Sequence, residues 1–425
     1  MELDKYVKKV DLSDEEMCLF NIVNKSIIKM DKKWIVDNQV DDSLDDQNKQ
    51  ILNDYGFIGD NNQIAMNRMI KEYNNDSKTF IISIELTRNC FLNCTYCYEN
   101  GMRSRVVISK NVMDQIVTYV KNVFNKKEVT LFKMSFIGGE PLLAKKEFFY
   151  IYNQLVYLCH KYSIEHRAII NTNGILIENN FFNKVKNMDV CITLTNKEDH
   201  DKNRPYANSQ GSYDAIVKKM LHCKQSFKRD DIRLFIRFNT NGENYNHFDE
   251  FLKELKNMNI DIFQVDPMYT DEYEQNSFRN TLSKKDFLTW KSTTSIDQLI
   301  NNGFSIPYTT QNYLKPCKGY IRDNCKIFYD GTLGICDTYD FNKRKLSLKD
   351  VNDGKADVNN FFEAFKSWSP LTDLQCNQCP LILICGGKYF CRENCQFEGF
   401  DIDSFLGTFI KYYSQGKGSF FPNMV

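Results

Sequence analysis

From Thr79 onward, short apolar runs alternate with longer stretches whose apolar residues recur at helical spacing. The runs Thr79–Leu86, Thr130–Ile137, His166–Asn171, Val190–Leu194, Ile232–Phe238 and Ile260–Val265 predict strands. Between them, Ser109–Phe124, Lys146–Tyr162, Asn179–Lys186, Tyr213–Phe227 and Tyr245–Met258 predict helices. A strand followed by a helix and then a strand of the same sheet implies parallel strands joined by right-handed crossovers, so the pattern predicts an α/β fold with six βα units in an open or closed barrel. Ligands of such barrels gather at the carboxyl ends of the strands.

The flanks differ. Residues 1–77 predict a separate small α+β unit: strands at Glu16–Val23 and Ser26–Met30 around Asn24-Lys25, a helix near Lys32–Asn38, and a second helix at Asp46–Tyr55 stopped by Gly56. Residues 78–270 hold the βα units, and 271–310 form a connector with a helix at Lys284–Asn301. Residues 311–400 are rich in cysteine, and 401–425 predict a closing helix and a tail.

A chain of 425 residues is too long for one ordinary core, which agrees with this division. Its 55 basic and 55 acidic side chains cancel, so bulk charge calls for neither nucleic acid nor an anionic membrane as partner. The first residues do not read as a signal peptide, and no apolar run approaches the about 18 residues that span a bilayer, so a cytoplasmic location is expected.

Fifteen cysteines are many for a reducing compartment, where dense cysteine points to metal before disulfide. Cys18, Cys159, Cys191 and Cys223 are scattered in apolar or helical settings and read as small buried residues. Cys90, Cys94 and Cys97 follow the first strand, at spacings of three and two intervening residues. Three thiolates so spaced can hold three corners of a compact cluster and leave a fourth open; zinc, a redox pair or a disulfide framework remain alternatives for the triplet alone.

In its setting, Leu86-Thr-Arg-Asn-Cys90-x3-Cys94-x-Tyr96-Cys97-Tyr98 resembles the motif of radical S-adenosylmethionine (SAM) enzymes. The resemblance implies a partial (β/α)6 barrel, a 4Fe-4S cluster on Cys90, Cys94 and Cys97, and SAM on the free iron. Tyr96 matches the aromatic before the last cysteine, and Gly138-Gly139-Glu140-Pro141 after the second strand is similar to the family's GGEP motif, which contacts the SAM amino group. Asn171 opens a turn like the family's T-N-G. Thr193, Arg204, Arg237 and Asn239 match positions that family members turn toward SAM. The segment Thr193–Arg204 departs from the family pattern: Thr193 stands for a serine, Thr195-Asn196 for Asp-Gly, and one residue is missing.

Eight further cysteines, Cys317, Cys325, Cys336, Cys376, Cys379, Cys385, Cys391 and Cys395, suffice for two four-ligand sites. Their spacing resembles the SPASM domain of many radical SAM enzymes, with Asp330-Gly331 turning a hairpin between Cys325–Tyr329 and Thr332–Cys336, and with a longer Cys385-x5-Cys391 loop. By analogy Cys317, Cys325, Cys336 and Cys391 hold one auxiliary 4Fe-4S cluster and Cys376, Cys379, Cys385 and Cys395 another, which makes three clusters. The first domain resembles a winged-helix-like leader-recognition domain. Together these resemblances imply a maturase that cross-links a ribosomally made precursor peptide bearing a leader, with a thioether as the expected bond. A flavodoxin or ferredoxin is the expected electron donor. The alternative is an enzyme of the anaerobic sulfatase-maturing type, in which the aspartate matched by Asp337 acts as base.

Overall fold

The computed structural model describes residues 1–24, 26–59, 62, 65, 78–99, 102–270, 278–306, 322–335, 346–363, 376, 379 and 401–414. The chain opens with a three-stranded antiparallel meander, β1 (Val7–Asp11), β2 (Glu16–Asn21) and β3 (Ile27–Asp31). A small hairpin, β4 (Ile35–Val36) and β5 (Gln39–Val40), and the helix α1 (Asp46–Asp54) follow. The helix expected over Lys32–Asn38 is instead a single 3-10 turn at Lys32–Trp34 running into that hairpin. Asp37 and Asn38 both have positive φ, 48° and 64°, as a two-residue hairpin turn demands and a helix forbids.

The main body alternates strand and helix: β6 (Thr79–Thr87), α2 (Lys110–Lys126), β7 (Leu131–Gly138), α3 (Lys145–Tyr162), β8 (Glu165–Thr172), α4 (Asn179–Phe182), β9 (Met188–Thr193), α5 (Lys197–Asn203), α6 (Tyr213–His222), β10 (Ile232–Thr240), α7 (Phe248–Asn257) and β11 (Gln264–Tyr269). Strands β6 to β11 pair in sequence order and all in parallel, the open half-barrel expected of a partial (β/α)6 fold. Three elements depart from expectation. Asn179–Lys186 is helical only to Phe182. The last strand begins at Gln264, four residues later than expected. The segment Lys197–Asn203 is a helix that the apolar pattern does not announce.

Each barrel strand has two different faces. In β10, Ile232, Leu234, Ile236 and Phe238 are buried against the helices, while Arg233, Phe235, Arg237 and Asn239 alternate with them on the bore side. The helix faces fit this layer: α2 buries Val112, Met113, Ile116, Tyr119, Val120 and Val123 at helical spacing, and Ser109 caps it by accepting from the Val112 amide at 3.3 Å.

Beyond the barrel, α8 (Lys284–Ser292) and α9 (Thr294–Asn301) replace the single helix expected over Lys284–Asn301. The break is Thr293, at φ −125° and ψ −85°. The expected hairpin forms as β12 (Cys325–Ile327) and β13 (Thr332–Gly334), and Gly331 has the positive φ, 81°, that its turn requires. β14 (Leu346–Ser347) pairs with β13, and α10 (Leu348–Asn352) and α11 (Val358–Phe361) follow. The hairpin does not stand apart: β12 adds to β6 in parallel, Cys325 opposite Ile82, extending one sheet to nine strands.

The final helix α12 (Ile402–Ser414) returns to the amino-terminal meander. Phe405, Leu406, Ile410 and Tyr412 pack with Tyr6, Val10, Cys18, Phe20 and Ile296 on one face of its sheet, while Met17 and Leu19 face α1 and the small hairpin on the other. No described helix is long and apolar enough to cross a membrane.

The junction of β12 with β6 is held by Asn324, a fully buried side chain whose Oδ1 accepts from the Ile81 amide at 2.8 Å. Asn324→Ala leaves that amide unpaired inside the protein. We expect a loss of about 1–3 kcal/mol, read as a lower urea midpoint, with faster hydrogen exchange at Ile81.

Candidate functional site

The stretch Cys90–Cys97 leaves the carboxyl end of β6 without regular structure, so its backbone groups are satisfied by neighbours. On one side the segment after α5 grips it: the Thr95 amide donates to the Asn203 carbonyl at 2.9 Å, the Thr95 hydroxyl to Asn203 Oδ1 at 2.8 Å, and the Asn93 amide to the Pro205 carbonyl at 2.7 Å. On the other side lies Gly138-Gly139, where the Gly139 amide donates to the Thr87 carbonyl at 2.9 Å and the Glu140 amide to the Asn89 carbonyl at 2.8 Å. A Cβ at Gly138 would stand 2.2 Å from the Thr87 oxygen, and one at Gly139 2.5 Å from the Asn89 oxygen. Gly138 also has φ +144°, a conformation side chains resist. Close backbone contact with the cysteine loop is therefore why these positions are glycine.

Together these segments border a cavity of about 410 Å³ at the carboxyl ends of the strands. Cys90, Cys94, Cys97, Tyr96, Gly138, Gly139, Asn171, Thr193, Arg204, Arg237 and Asn239 all line it. The thiols ring this space; among the described residues no three donors converge on one ion-sized point. Glu140 and Pro141 are buried behind the wall. The Glu140 carboxylate, expected to meet an ammonium, instead accepts from the Leu142 amide at 3.0 Å, the Thr172 hydroxyl at 2.7 Å and the Asn173 amide at 2.7 Å. It braces the turn after β8, whose Asn173 side chain reaches Cys90 Sγ at 3.8 Å.

Burial dominates the electrostatics of the site. Burial pushes the Cys90 thiol up to about 11 and the Cys97 thiol upward as well, a penalty on the thiolate that a bound metal cation would offset. Burial likewise raises the Tyr96 phenol to about 12; its oxygen accepts from Arg204 Nη1 at 3.2 Å. Arg204 Nε and Asn171 Oδ1 are buried with no hydrogen-bond partner among the described residues. Two orphaned polar atoms beside three thiols, in a cavity closed on one side by glycine backbone, fit a metal cluster together with a small zwitterionic ligand.

Cavity residues not anticipated include Arg103, Asn173, Cys191 and Met268. Cys191 is buried, as expected of a scattered cysteine, yet it faces the cavity two residues before Thr193, and the period of two along a strand would have put both on one face. Asn173 lies inside the turn already singled out at Asn171. Arg103 carried no signal; its guanidinium reaches the Leu92 carbonyl and Asn93 Oδ1, fastening the far side of the cysteine loop.

Of the second group of cysteines, Cys325 is fully buried in the main core on β12, and Cys376 lies in the core shared by the meander and α12. The Cys379 amide donates to the Cys376 carbonyl at 3.1 Å. Cys317, Cys336, Asp337, Cys385, Cys391 and Cys395 lie outside the described residues.

The site is thus three thiols around a polar cavity at the strand ends of a parallel βα sheet. Residues 84–255 match the family model described as the Radical SAM superfamily, so this stretch is a radical SAM domain. That family implies a 4Fe-4S cluster and SAM. Among curated proteins the chain is similar to a cysteine-type anaerobic sulfatase-maturating enzyme of Clostridium novyi (strain NT), 27% identical over 72% of this chain and 86% of that protein. A protein of the same name from Clostridium perfringens is 24% identical over 79% and 94%. Among solved structures it resembles the sulfatase-maturating enzyme anSMEcpe with bound SAM and the Kp18Cys peptide, with a TM-score of 0.58 at 19% identity, covering 79% of this chain and 98% of that one. Streptococcus suis SuiB bound to SAM gives a TM-score of 0.53 at 16% identity over 92% and 96%. These two likenesses show the fold.

Arg204 is held through His200. The Thr195 amide donates to His200 Nδ1 at 3.4 Å, so His200 Nε2 carries the proton toward Ser212 Oγ at 3.1 Å, and Ser212 donates to the Arg204 carbonyl at 2.7 Å. Burial, with the Arg204 charge second, holds the His200 pKa well below the ordinary value of about 6.5. The unfolded chain therefore takes up a proton near that pH while the folded chain refuses it. Stability is full above pH about 6.5 and falls as pH drops below it, by up to about 1.4 kcal/mol per unit. In urea titrations from pH 7.5 down to 5.5, wild type should lose more stability than His200→Gln.

Proposed function

We propose that the chain matures a ribosomally made precursor peptide by installing a cross-link, with a thioether as the bond. The observation that carries this reading is the unit built from the amino-terminal meander and α12 outside the barrel. The likeness to SuiB extends over 92% of this chain, against 79% for the sulfatase-maturating enzyme, and a SuiB structure is described as bound to its precursor peptide SuiA. In this reading residues 1–77 receive the leader, 78–270 form the reaction barrel, 271–310 connect, 311–400 form a SPASM domain, and 401–425 close the molecule.

Cys90, Cys94 and Cys97 hold the SAM-binding cluster, and the backbone of Gly138-Gly139 keeps the SAM amino end close. Arg204 offers its unpaired Nε to the SAM carboxylate, while Asn171, Thr193, Arg237 and Asn239 bound the rest of the cofactor. When bound, cluster and SAM supply a 5′-deoxyadenosyl radical. The barrel's task is to place one substrate C–H before it and exclude water. Closing an S–C bond removes two hydrogens from the peptide: one leaves as an atom in 5′-deoxyadenosine, the other as a proton, and one electron remains. Cys317, Cys325, Cys336 and Cys391 would hold one auxiliary 4Fe-4S cluster and Cys376, Cys379, Cys385 and Cys395 another, which would supply an acceptor for that electron. A reduced flavodoxin or ferredoxin starts the cycle.

A second reading, the formylglycine-forming sulfatase-maturating reaction, is favoured by the sequence likeness to the clostridial enzymes. Reconstituted enzyme with SAM, a reductant and the short peptide encoded beside it should yield a product lighter by two hydrogens per link. An unchanged peptide mass alongside active SAM cleavage overturns the cross-linking reading, and aldehyde formation on a sulfatase-motif peptide installs the second. Cys94→Ala should abolish 5′-deoxyadenosine formation and lower the iron content per chain.

A further inference from the structure

Several hydrogen bonds that hold the cysteine loop and the cofactor cavity in register converge on Asp199, a side chain to which neither the motifs nor the cavity lining give a role. It lies on the inner face of α5 and is 7% exposed. Its Oδ1 accepts from Asn203 Nδ2 at 2.9 Å and Asn241 Nδ2 at 2.6 Å. Its Oδ2 accepts from the Thr195 hydroxyl at 2.9 Å and Asn244 Nδ2 at 2.9 Å. The donors come from three places: the segment after β9, the end of α5, and the loop after β10.

Each donor passes the constraint on. Asn203 makes both bonds to Thr95 in the middle of the cysteine loop, and its chain neighbour is Arg204. Asn244 Nδ2 also donates to the Asn239 carbonyl at 2.9 Å, fixing the strand end that carries Arg237 and Asn239 into the cavity. Asn241 Oδ1 accepts from the amides of Glu243 and Asn244, both at 2.9 Å, closing the loop on itself.

We propose that Asp199 is a positioning residue that sets the separation between the thiol loop, Arg204 and Asn239, so that SAM can engage the cluster and the barrel groups at the same time. This rests on the reading of the cavity as the cluster and SAM site. Only a carboxylate suits the position. It offers acceptor lone pairs on both oxygens, whereas an asparagine would keep one acceptor and turn an NH2 against two donors. The bonds are charge-assisted and buried, hence stronger than neutral ones.

The test compares reconstituted wild type, Asp199→Asn and Asn302→Ala, in each of which the melting temperature, iron per chain and SAM dissociation constant are measured. Asn302 is a control: it is buried, bonded to Asp249 Oδ1 and the Gln298 carbonyl, each at 2.8 Å, and outside the cavity. Asp199→Asn should retain iron but bind SAM about tenfold more weakly, with an altered response of the reduced cluster's electron paramagnetic resonance to SAM. Asn302→Ala should lose stability without losing SAM affinity. Should Asp199→Asn fail to fold, Thr195→Val removes one donor and should weaken SAM binding, while Thr195→Ser keeps the hydroxyl and should bind like wild type. Wild-type affinity in Asp199→Asn, equal weakening in the control at equal loss of melting temperature, or identical behaviour of the two Thr195 variants overturns the proposal. A wild type that holds iron yet binds no SAM overturns the reading of the cavity itself.

Discussion

A loop that carries three thiols and forms no helix or strand can stay in place only if its amides and carbonyls find partners elsewhere, and that requirement organises this molecule. Thr95 and Asn93 are met by Asn203 and Pro205, while Thr87 and Asn89 accept from Gly139 and Glu140. The loop is thus clamped between the ends of two distant βα units. The glycines exist to let backbone meet backbone, and Glu140 exists to stiffen the next turn along. Chemistry at the thiols is inherited from the packing of segments that contain no thiol.

The same logic explains the barrel's two faces. Apolar side chains toward the helices supply the cohesion, which leaves the bore side of each strand free to carry Arg237, Asn239, Thr193 and Asn171 at one end. Such polar groups cost free energy when they lack partners. Arg204 Nε and Asn171 Oδ1 bear that cost.

Strand–helix alternation after Thr79 was legible because period-two and period-3.6 patterns are local, and the barrel residues with motif resemblance, Glu140 and Pro141 excepted, line one cavity. Three things were not legible. A helix at Lys197–Asn203 is too polar to show an apolar period, and its stability comes from buried partners outside it. The direction of the Glu140 carboxylate depended on the Thr172 hydroxyl and the Asn173 amide, which needed an acceptor, a tertiary fact. Asp199 was invisible because two of its donors lie beyond β10, more than forty residues away along the chain. In each case the deciding contact is long-range, whereas periodicity reports only neighbours.

The strand that completes the barrel sheet on the β6 side lies far downstream: Ile81 and Asn324, bonded to one another, are 243 residues apart. During synthesis the thiols of Cys90–Cys97 are therefore made long before β12 exists, and the outer edge of β6 stays uncovered for most of translation. Closing so long a loop is entropically slow. The nascent chain thus passes through a stage in which its thiol-bearing loop has been made and its sheet is still missing a strand.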